Sequence, residues 1–466
     1  MTTIRLHDTR SGELRELRPR DGGKVGIYAC GPTVYARIHV GNARPFVVYS
    51  LLKRYLEHEG LDVTLVINIT DINDKIYVAA ESLGVASADL AAQMTAHYQA
   101  DTEALGLGRP DAEPLASATI ATIVALIADL IDSGNAYAVA GDVYFRVRSD
   151  ADYGSLSCRP IDEMNQGEDD ELSPVGASLK EDPLDFALWK AHKKGEDTVW
   201  DAPWGRGRPG WHIECSAMAE QFLGVGFEIH GGGNDLVFPH HENEAAQTRM
   251  ARGAELAQIW MHNGMLQVPS NGAKMRGATD QAKMAKSVGN VAALHEVVDA
   301  FGRDALIMLF VGAHYRQPMA FDVERMKEAR ARVARVRDAA RGLVDGESPA
   351  QMRPLRDAFF AALAEDFNTA AALGALFEWI NERHKPRAEP VGRADLVEML
   401  SVLGLQNLAG DAGEPGPEEQ ELLERRQAAR AGRDYDEADR LRGELRVRGW
   451  EVRDGPDGPE LVRVEP

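Results

Sequence analysis

The segment Ile27-Tyr-Ala-Cys-Gly-Pro-Thr-Val-Tyr-Ala-Arg-Ile-His-Val-Gly-Asn42 sets a strand, a loop and a helix start in direct succession. Val25 to Ala29 is an apolar strand, Gly31 and Pro32 punctuate the loop, and a helical pattern takes over from about Gly41. A helix opening there offers backbone amides and the positive end of its dipole to an anion, and Gly41 lets phosphate oxygens come close to the backbone. His39 and Asn42, three apart, lean toward one bound group. Cys30 stands at the carboxyl end of the strand, the edge at which open α/β sheets bind ligands. Taken alone, a glycine and a histidine after a strand are equally turn chemistry, so the weight falls on what lies around them.

Working outward, Thr3 to Pro19 reads as an exposed strand pair. The helix after Asn42 carries Phe46, Val47, Leu51, Leu52, Tyr55 and Leu56 as a core-facing stripe and ends at Gly60. Leu61 to Thr70 alternates Val63, Leu65, Ile67 and Ile69, a second strand that completes a βαβ unit and delivers Thr70 and Asp71 to the same edge. Asp71 to Gly134 is mostly helical, broken at Gly106 to Pro114. Ala136 to Arg206 reads as an inserted module with short strands and the acidic run Glu168 to Glu171, which is solvated loop chemistry. The expected architecture is α/β: a Rossmann-like parallel-sheet domain (1–116 and 206–265), an inserted module (117–205), a linking region (266–318), a helical bundle (319–409), a linker (410–417) and a small C-terminal domain (418–466).

Length and composition narrow the function. With 466 residues the chain exceeds one core. No apolar run approaches the ~20 residues that span a bilayer, and Met1 to Arg10 lacks the apolar core of a signal peptide, so no membrane association and a cytoplasmic location are expected. A net charge of -21 argues against polyanion binding by the whole surface. Three cysteines, Cys30, Cys158 and Cys215, are too few for a disulfide framework, which leaves metal or catalytic use.

Four downstream stretches carry chemistry. Trp211-His-Ile-Glu-Cys215 opens a helix. Phe227 to Ile229 is a strand ending at His230-Gly-Gly-Gly-Asn-Asp235, where Gly231, Gly232 and Gly233 admit a flat group or make a flexible turn. Pro239-His-His-Glu-Asn-Glu244 starts another helix, in which His240 shares a face with Glu244 whereas His241 falls in line with Ala245. An adjacent histidine pair taken alone is usually satisfied surface or core polarity, but with Cys30 and Cys215 otherwise unemployed, Cys30, Cys215, His240 and Glu244 fit a four-ligand zinc site. In Gln281 to Asn290, Lys283 and Lys286 are paired cations fit for a polyphosphate, though a loop lysine pair is ordinarily solvent decoration.

Together these stretches resemble cysteinyl-tRNA synthetases, class I enzymes, over essentially the whole chain. His39-Val-Gly-Asn42 is similar to the first class I signature and Lys283-Met-Ala-Lys-Ser287 to the second. Gly210 to Cys215, His230 to Gly233 and Phe238 to Glu244 resemble blocks peculiar to the cysteine enzyme and its nearest relatives. The sequence departs from the pattern at Asn42, where histidine is usual, at Ala285, where serine is usual, and in an insertion, Pro269 to Asp280, that carries a decoy Lys274-Met275-Arg276.

The resemblance implies activation of L-cysteine with ATP and transfer to tRNA(Cys) by a monomer. His39, Asn42, Lys283 and Lys286 are its implied catalytic residues. ATP lies against His39, Gly41, Asn42, Gly231 to Gly233, Asp235 and Lys286, with Mg²⁺ on the phosphates. Cys30, Thr70 and Trp211 stand near the amino acid, and one Zn²⁺ per chain is held by Cys30, Cys215, His240 and Glu244. Two thiolates and a carboxylate leave such a site at -1, so it reads as a recognition device rather than a hydrolytic centre. Phe321 to Arg341, rich in arginine, and the terminal domain bear on the tRNA. The rivals are a cysteine ligase of mycothiol biosynthesis, with an amino-sugar acceptor, and a non-catalytic RNA-binding paralogue; the long tail and the intact signature residues favour the tRNA reading.

Overall fold

The computed structural model describes the chain apart from residues 1, 165–178, 268–291, 387–388, 411–415, 433, 449, 456–457 and 464–466. The insertion Pro269 to Asp280 and the pair Lys283 and Lys286 lie outside the described residues. β1 (Arg5–Asp8) and β2 (Glu13–Glu16) form the expected antiparallel ribbon. Its inner side is not exposed: Leu6 and Asp8 are buried, and Asp8 accepts the Trp260 amide at 3.0 Å, tying the ribbon to the main sheet.

That sheet is parallel throughout. β3 (Lys24–Ala29), β4 (Asp62–Ile67), β9 (Phe227–Gly233) and β10 (Ala257–Asn263) lie in the order β10-β9-β3-β4. Near-continuous burial of β3 and β9 follows from helices on both faces. β3 is the first of the four in the chain and has β4 on one side and β9 on the other, so the strand order reverses beside it. Ligands of open α/β sheets bind in the crevice outside such a switch point, and Cys30 follows β3 into it. α1 (Val40–His58) joins β3 to β4 and buries Phe46, Val47, Leu51, Leu52, Tyr55 and Leu56, as its sequence stripe predicts.

After α2 (Asp74–Leu83), α3 (Ser87–Glu103) and α4 (Ile120–Asp132), the inserted module forms a four-stranded antiparallel sheet, β5 (Ala136–Val139), β6 (Asp142–Phe145), β7 (Phe186–Ala191) and β8 (Gly207–Pro209). Its last strand runs to Pro209, past residue 205, because β7 pairs directly with Gly207 to Pro209. α5 (Trp211–Leu223) starts two residues later and returns the chain to β9, and α6 (Glu242–Arg252) leads to β10.

β11 (Leu266–Gln267) pairs in parallel with β12 (Met319–Ala320), with α7 (Leu294–Phe301) and α8 (Arg303–Val311) between them in the chain. The bundle follows as α9 (Val323–Ala340), α10 (Arg353–Ala364), α11 (Thr369–Arg383) and α12 (Ala394–Val402). Helical periodicity runs unbroken through Phe359 to Leu376 in the sequence, yet Asp366 and Phe367 adopt left-handed φ of 60° and 44°. The Asp366 carboxylate accepts from the His7 amide and the Tyr315 hydroxyl, so tertiary bonds override local propensity there. Arg54 donates to the Ser401 carbonyl and Arg303 to those of Leu105 and Gly404, which docks the bundle on the parallel-sheet domain. α13 (Pro417–Ala431), α14 (Tyr435–Val447), β13 (Trp450–Gly455) and β14 (Gly458–Arg463) enclose a separate small core around Leu423, Leu441 and Trp450. Among the described residues no helix is long and apolar enough to cross a membrane.

Candidate active site

A cavity of about 330 Å³ opens at the switch point, lined by Cys30, His39, Gly41, Asn42, Trp211, Gly233 and Asp235 among others. Thus seven of the sequence-chosen residues come together there, from β3, α1, α5 and the end of β9. Met265 and Leu266 form the wall opposite α1, and Lys75, in the first turn of α2, adds a cation that the sequence reading missed. Its only local signal is the Asn73 cap just after β4.

The start of α1 is a closed capping box rather than a row of free amides. His39 Nδ1 accepts from the Gly41 amide at 3.1 Å, Asn42 Oδ1 accepts from the His39 amide at 3.3 Å, and the Val40 amide donates to the Ala292 carbonyl at 3.0 Å. Gly41 is required for a reason other than phosphate approach: a Cβ there would lie 2.8 Å from the His39 ring. With Nδ1 accepting, the proton of neutral His39 sits on Nε2. Burial lowers the His39 pKa, so the ring is neutral at pH 7 and offers a hydrogen bond rather than a charge.

Two of the three consecutive glycines are not open to a ligand. They lie inside β9, not beyond it, and each removes a collision with a neighbour. A Cβ on Gly231 would meet the Tyr49 ring at 2.2 Å, and one on Gly232 the His241 ring at 2.8 Å. Only Gly233 reaches the cavity. Thr70 is fully buried behind the loop that follows β3, where its backbone pairs with Pro32 and Val34, and its hydroxyl accepts from Asn68 at 3.3 Å.

At the base of the cavity the side chains of Cys30, Cys215, His240 and Glu244 gather with ligand atoms all within 4.8 Å of one another. Cys30 Sγ is 3.6 Å from His240 Nε2 and 3.5 Å from Glu244 Oε1, and those two atoms are 3.0 Å apart. A tetrahedral zinc with bonds of 2.0–2.3 Å separates its ligands by roughly 3.3–3.8 Å, so the residues fit the ion with little adjustment. Cys158 stays outside, exposed on the surface. All four ligands are buried, and His240 Nδ1 lies 2.9 Å from His212 Nδ1, a partner that fixes the ring and leaves Nε2 for a metal. Trp211 stacks on His240 with ring centroids 4.2 Å apart.

A second set shares two of these ligands: Cys30, His230, His241 and Glu244. His241 Nε2 is 3.3 Å from Cys30 Sγ, and its Nδ1 is held by His262 at 2.7 Å, which in turn meets Thr9 at 2.7 Å. The helix face that pairs His240 with Glu244 holds at i, i+4, yet His241, next in the chain and just after a kink at Phe238, also reaches Cys30. The signals for the missed histidines are weak: His212 stands three before Cys215 on α5, and His230 and His262 lie within the buried strands β9 and β10.

Burial dominates the electrostatics. It pushes Glu244 well above the carboxylate range, and burial with the neighbouring thiol pushes Cys30 up. The hydrogen bond from Cys30 draws Cys215 down to about 7 against its own burial. Burial also keeps His230 and His241 neutral. A site with this much suppressed negative charge is chemically disposed to take a dication.

The fold places the chain in a class. Mycobacterium tuberculosis methionyl-tRNA synthetase in complex with methionyl-adenylate superposes with a TM-score of 0.58 at 15% identity, over 82% of this chain and 89% of that one. A putative arginyl-tRNA synthetase from Campylobacter jejuni gives 0.51 at 14%, over 84% and 94%. Residues 16–331 match the family model of the class I (C) tRNA synthetase catalytic domain, 358–406 the DALR domain and 413–460 the cysteinyl-tRNA ligase anticodon binding domain. The cysteine–tRNA ligase of Caldicellulosiruptor saccharolyticus is 38% identical over 99% of this chain and 100% of its own, and that of Symbiobacterium thermophilum 41% over the same shares. The chain belongs to the cysteinyl-tRNA synthetase family.

Proposed function

We propose that ATP and L-cysteine meet in the switch-point cavity, with ATP against the His39 to Asn42 turn, Gly233 and Asp235, and the cysteine side chain directed to the buried cluster. The chain is a class I ligase that activates cysteine with ATP and transfers it to tRNA(Cys). One observation carries the placement: Cys30 lines the cavity and also belongs to the four-ligand cluster, so both halves of the reaction share one wall.

The cysteine carboxylate attacks the α-phosphorus and pyrophosphate leaves. Such chemistry needs little covalent help, and positioning and charge stabilisation carry it. Neutral His39 donates from Nε2 to a phosphate oxygen once the nucleotide is seated, and Asn42 supplies the amide donor that the usual histidine would. Lys283 and Lys286 act with Mg²⁺ on the departing phosphates. Cys30, Cys215, His240 and Glu244 would hold zinc, with His212 fixing His240; Trp211 borders the amino acid, and Thr70 backs the loop that carries Cys30 toward it. Bound there, zinc supplies thiophilic Lewis acidity that takes a sulfur and refuses a serine hydroxyl, a loss of contact large enough to make editing unnecessary.

Residues 1–116 and 206–265 carry the chemistry, the bundle at 319–409 and its arginine-rich first helix support the tRNA, and 418–466 read the anticodon. The anticodon match at 413–460 favours tRNA over an amino-sugar acceptor. The proposed working state is a monomer in the cytoplasm. The test is pyrophosphate exchange with each amino acid, followed by transfer to tRNA, on protein whose zinc has been counted. Exchange with cysteine alone and one zinc per chain are expected; cysteine-dependent exchange by zinc-free protein overturns the recognition argument.

A further inference from the structure

Arg44 is the least conventional charge in the molecule. Its side chain is buried, with 1% relative exposure, and among the described residues no carboxylate pairs with it. Instead it donates to five backbone carbonyls. Nη1 reaches Gly264 at 2.5 Å and Met265 at 3.3 Å; Nη2 reaches His314 at 3.4 Å, Tyr315 at 3.2 Å and Gln317 at 2.8 Å. A buried guanidinium needs its donors satisfied; both terminal nitrogens of Arg44 are, through the planar fork, while Nε has no partner among the described residues.

The recipients form one structural unit. The Gly264 amide donates to the Tyr315 carbonyl at 2.8 Å and the Met319 amide to the Met265 carbonyl at 3.0 Å, and β11 pairs with β12 immediately after. Gly264 packs so closely on the turn at Gln317 that a Cβ would lie 2.3 Å from that carbonyl. Arg44 itself sits on α1, two residues after Asn42. Asn263, Gly264, Met265 and Leu266 line the cavity together with His39, Gly41 and Asn42, and a Cβ on Gly41 would lie 3.8 Å from that of Leu266.

We propose that Arg44 is a positioning residue of the activation step, whose guanidinium fixes the wall at Asn263 to Leu266 against the helix start that carries His39 and Asn42. The inference rests on the reading of this cavity as the ATP site. Burial alone draws its pKa down to about 10, which still leaves it protonated at neutral pH. The metal cluster is assembled from β3, α5 and the π turn with α6, and Arg44 hydrogen-bonds to none of them, so the effect belongs to ATP rather than to cysteine.

The test compares Arg44→Lys and Arg44→Gln in the full chain by cysteine-dependent pyrophosphate exchange, with zinc content and thermal midpoint measured alongside. Lysine keeps the charge but radiates three donors from one atom, and glutamine keeps a planar donor without the charge or the reach. The expected result is a loss of about 10- to 100-fold in kcat/KM for ATP, with KM for cysteine within about twofold and zinc retained. A folded variant with the parental KM and kcat for ATP overturns the inference. So does a fall in ATP and cysteine parameters in step with zinc loss, or failure of both variants to fold, either of which makes Arg44 a folding residue alone. Absence of cysteine-dependent exchange in the parent chain strikes the functional reading instead.

Discussion

The two ends of the cavity are built on opposite plans. At the α1 end, the side-chain caps span two or three residues: His39 caps Gly41, Asn42 caps His39, and Asn42 lines an open space. At the cluster end, Cys30 meets His240 across 210 residues and His241 across 211, every ligand is buried, and each histidine leans on another. A local turn can be preorganised cheaply and opened for a phosphate, whereas a dry cluster of thiols, imidazoles and a carboxylate holds only if the surrounding fold is complete. With ATP at the first end and cysteine at the second, as proposed, the contrast teaches that nucleotide binding and amino-acid choice should fail in different ways.

Breaking the cluster should cost most. Glu244→Gln removes one negative charge at the centre, and zinc retention under chelator challenge together with cysteine-dependent exchange should drop by more than about 100-fold. Retained zinc and normal exchange would make the buried carboxylate a spectator. Removing residues 411–466 should leave exchange nearly unchanged while transfer to tRNA falls on the order of 100-fold, because one of two linked RNA-binding modules is lost. Collapse of exchange in a folded truncation contradicts the separate small core around Leu423, Leu441 and Trp450.

Smaller changes sharpen the comparison. His212→Ala withdraws the partner of His240, and His241→Ala withdraws a neighbour of Cys30; each should weaken zinc about tenfold, measured by competition with a chromogenic chelator. An effect of His241→Ala that exceeds that of His240→Ala would move the ion to the second set of ligands. Glu242 faces away from the cluster and accepts amides of Gly154, Leu156 and Ser157 at 2.9, 3.5 and 2.7 Å, anchoring the inserted module to α6. Glu242→Gln should keep zinc yet lose about 1–3 kcal/mol in denaturant unfolding, since one amide of the trio then faces a donor.

Much of the site was legible because its elements announce themselves locally. Cys30 after an apolar strand, the His39 to Asn42 turn and the i, i+4 spacing of His240 and Glu244 each follow from a period or a cap. The insertion boundary slipped because Gly207 to Pro209 reads as a turn until a partner strand is present. The i, i+4 choice of His240 holds in the cluster, but helical spacing gives no sign that His241 also reaches Cys30, and the triple glycine was misread because no pattern reveals Tyr49 and His241 pressing on the strand.

The sequence by itself determined the α/β plan, the helix that opens at His39, the cysteine and histidine donors and, by its motifs, the family. Tertiary structure decided which histidines surround Cys30, which glycine faces the cavity, that α1 begins with its amides already engaged, and that Arg44 spends its charge on carbonyls. The physical reason is range: caps and periodicities are set by neighbours in the chain, whereas a buried donor's partner is set by packing between elements hundreds of residues apart.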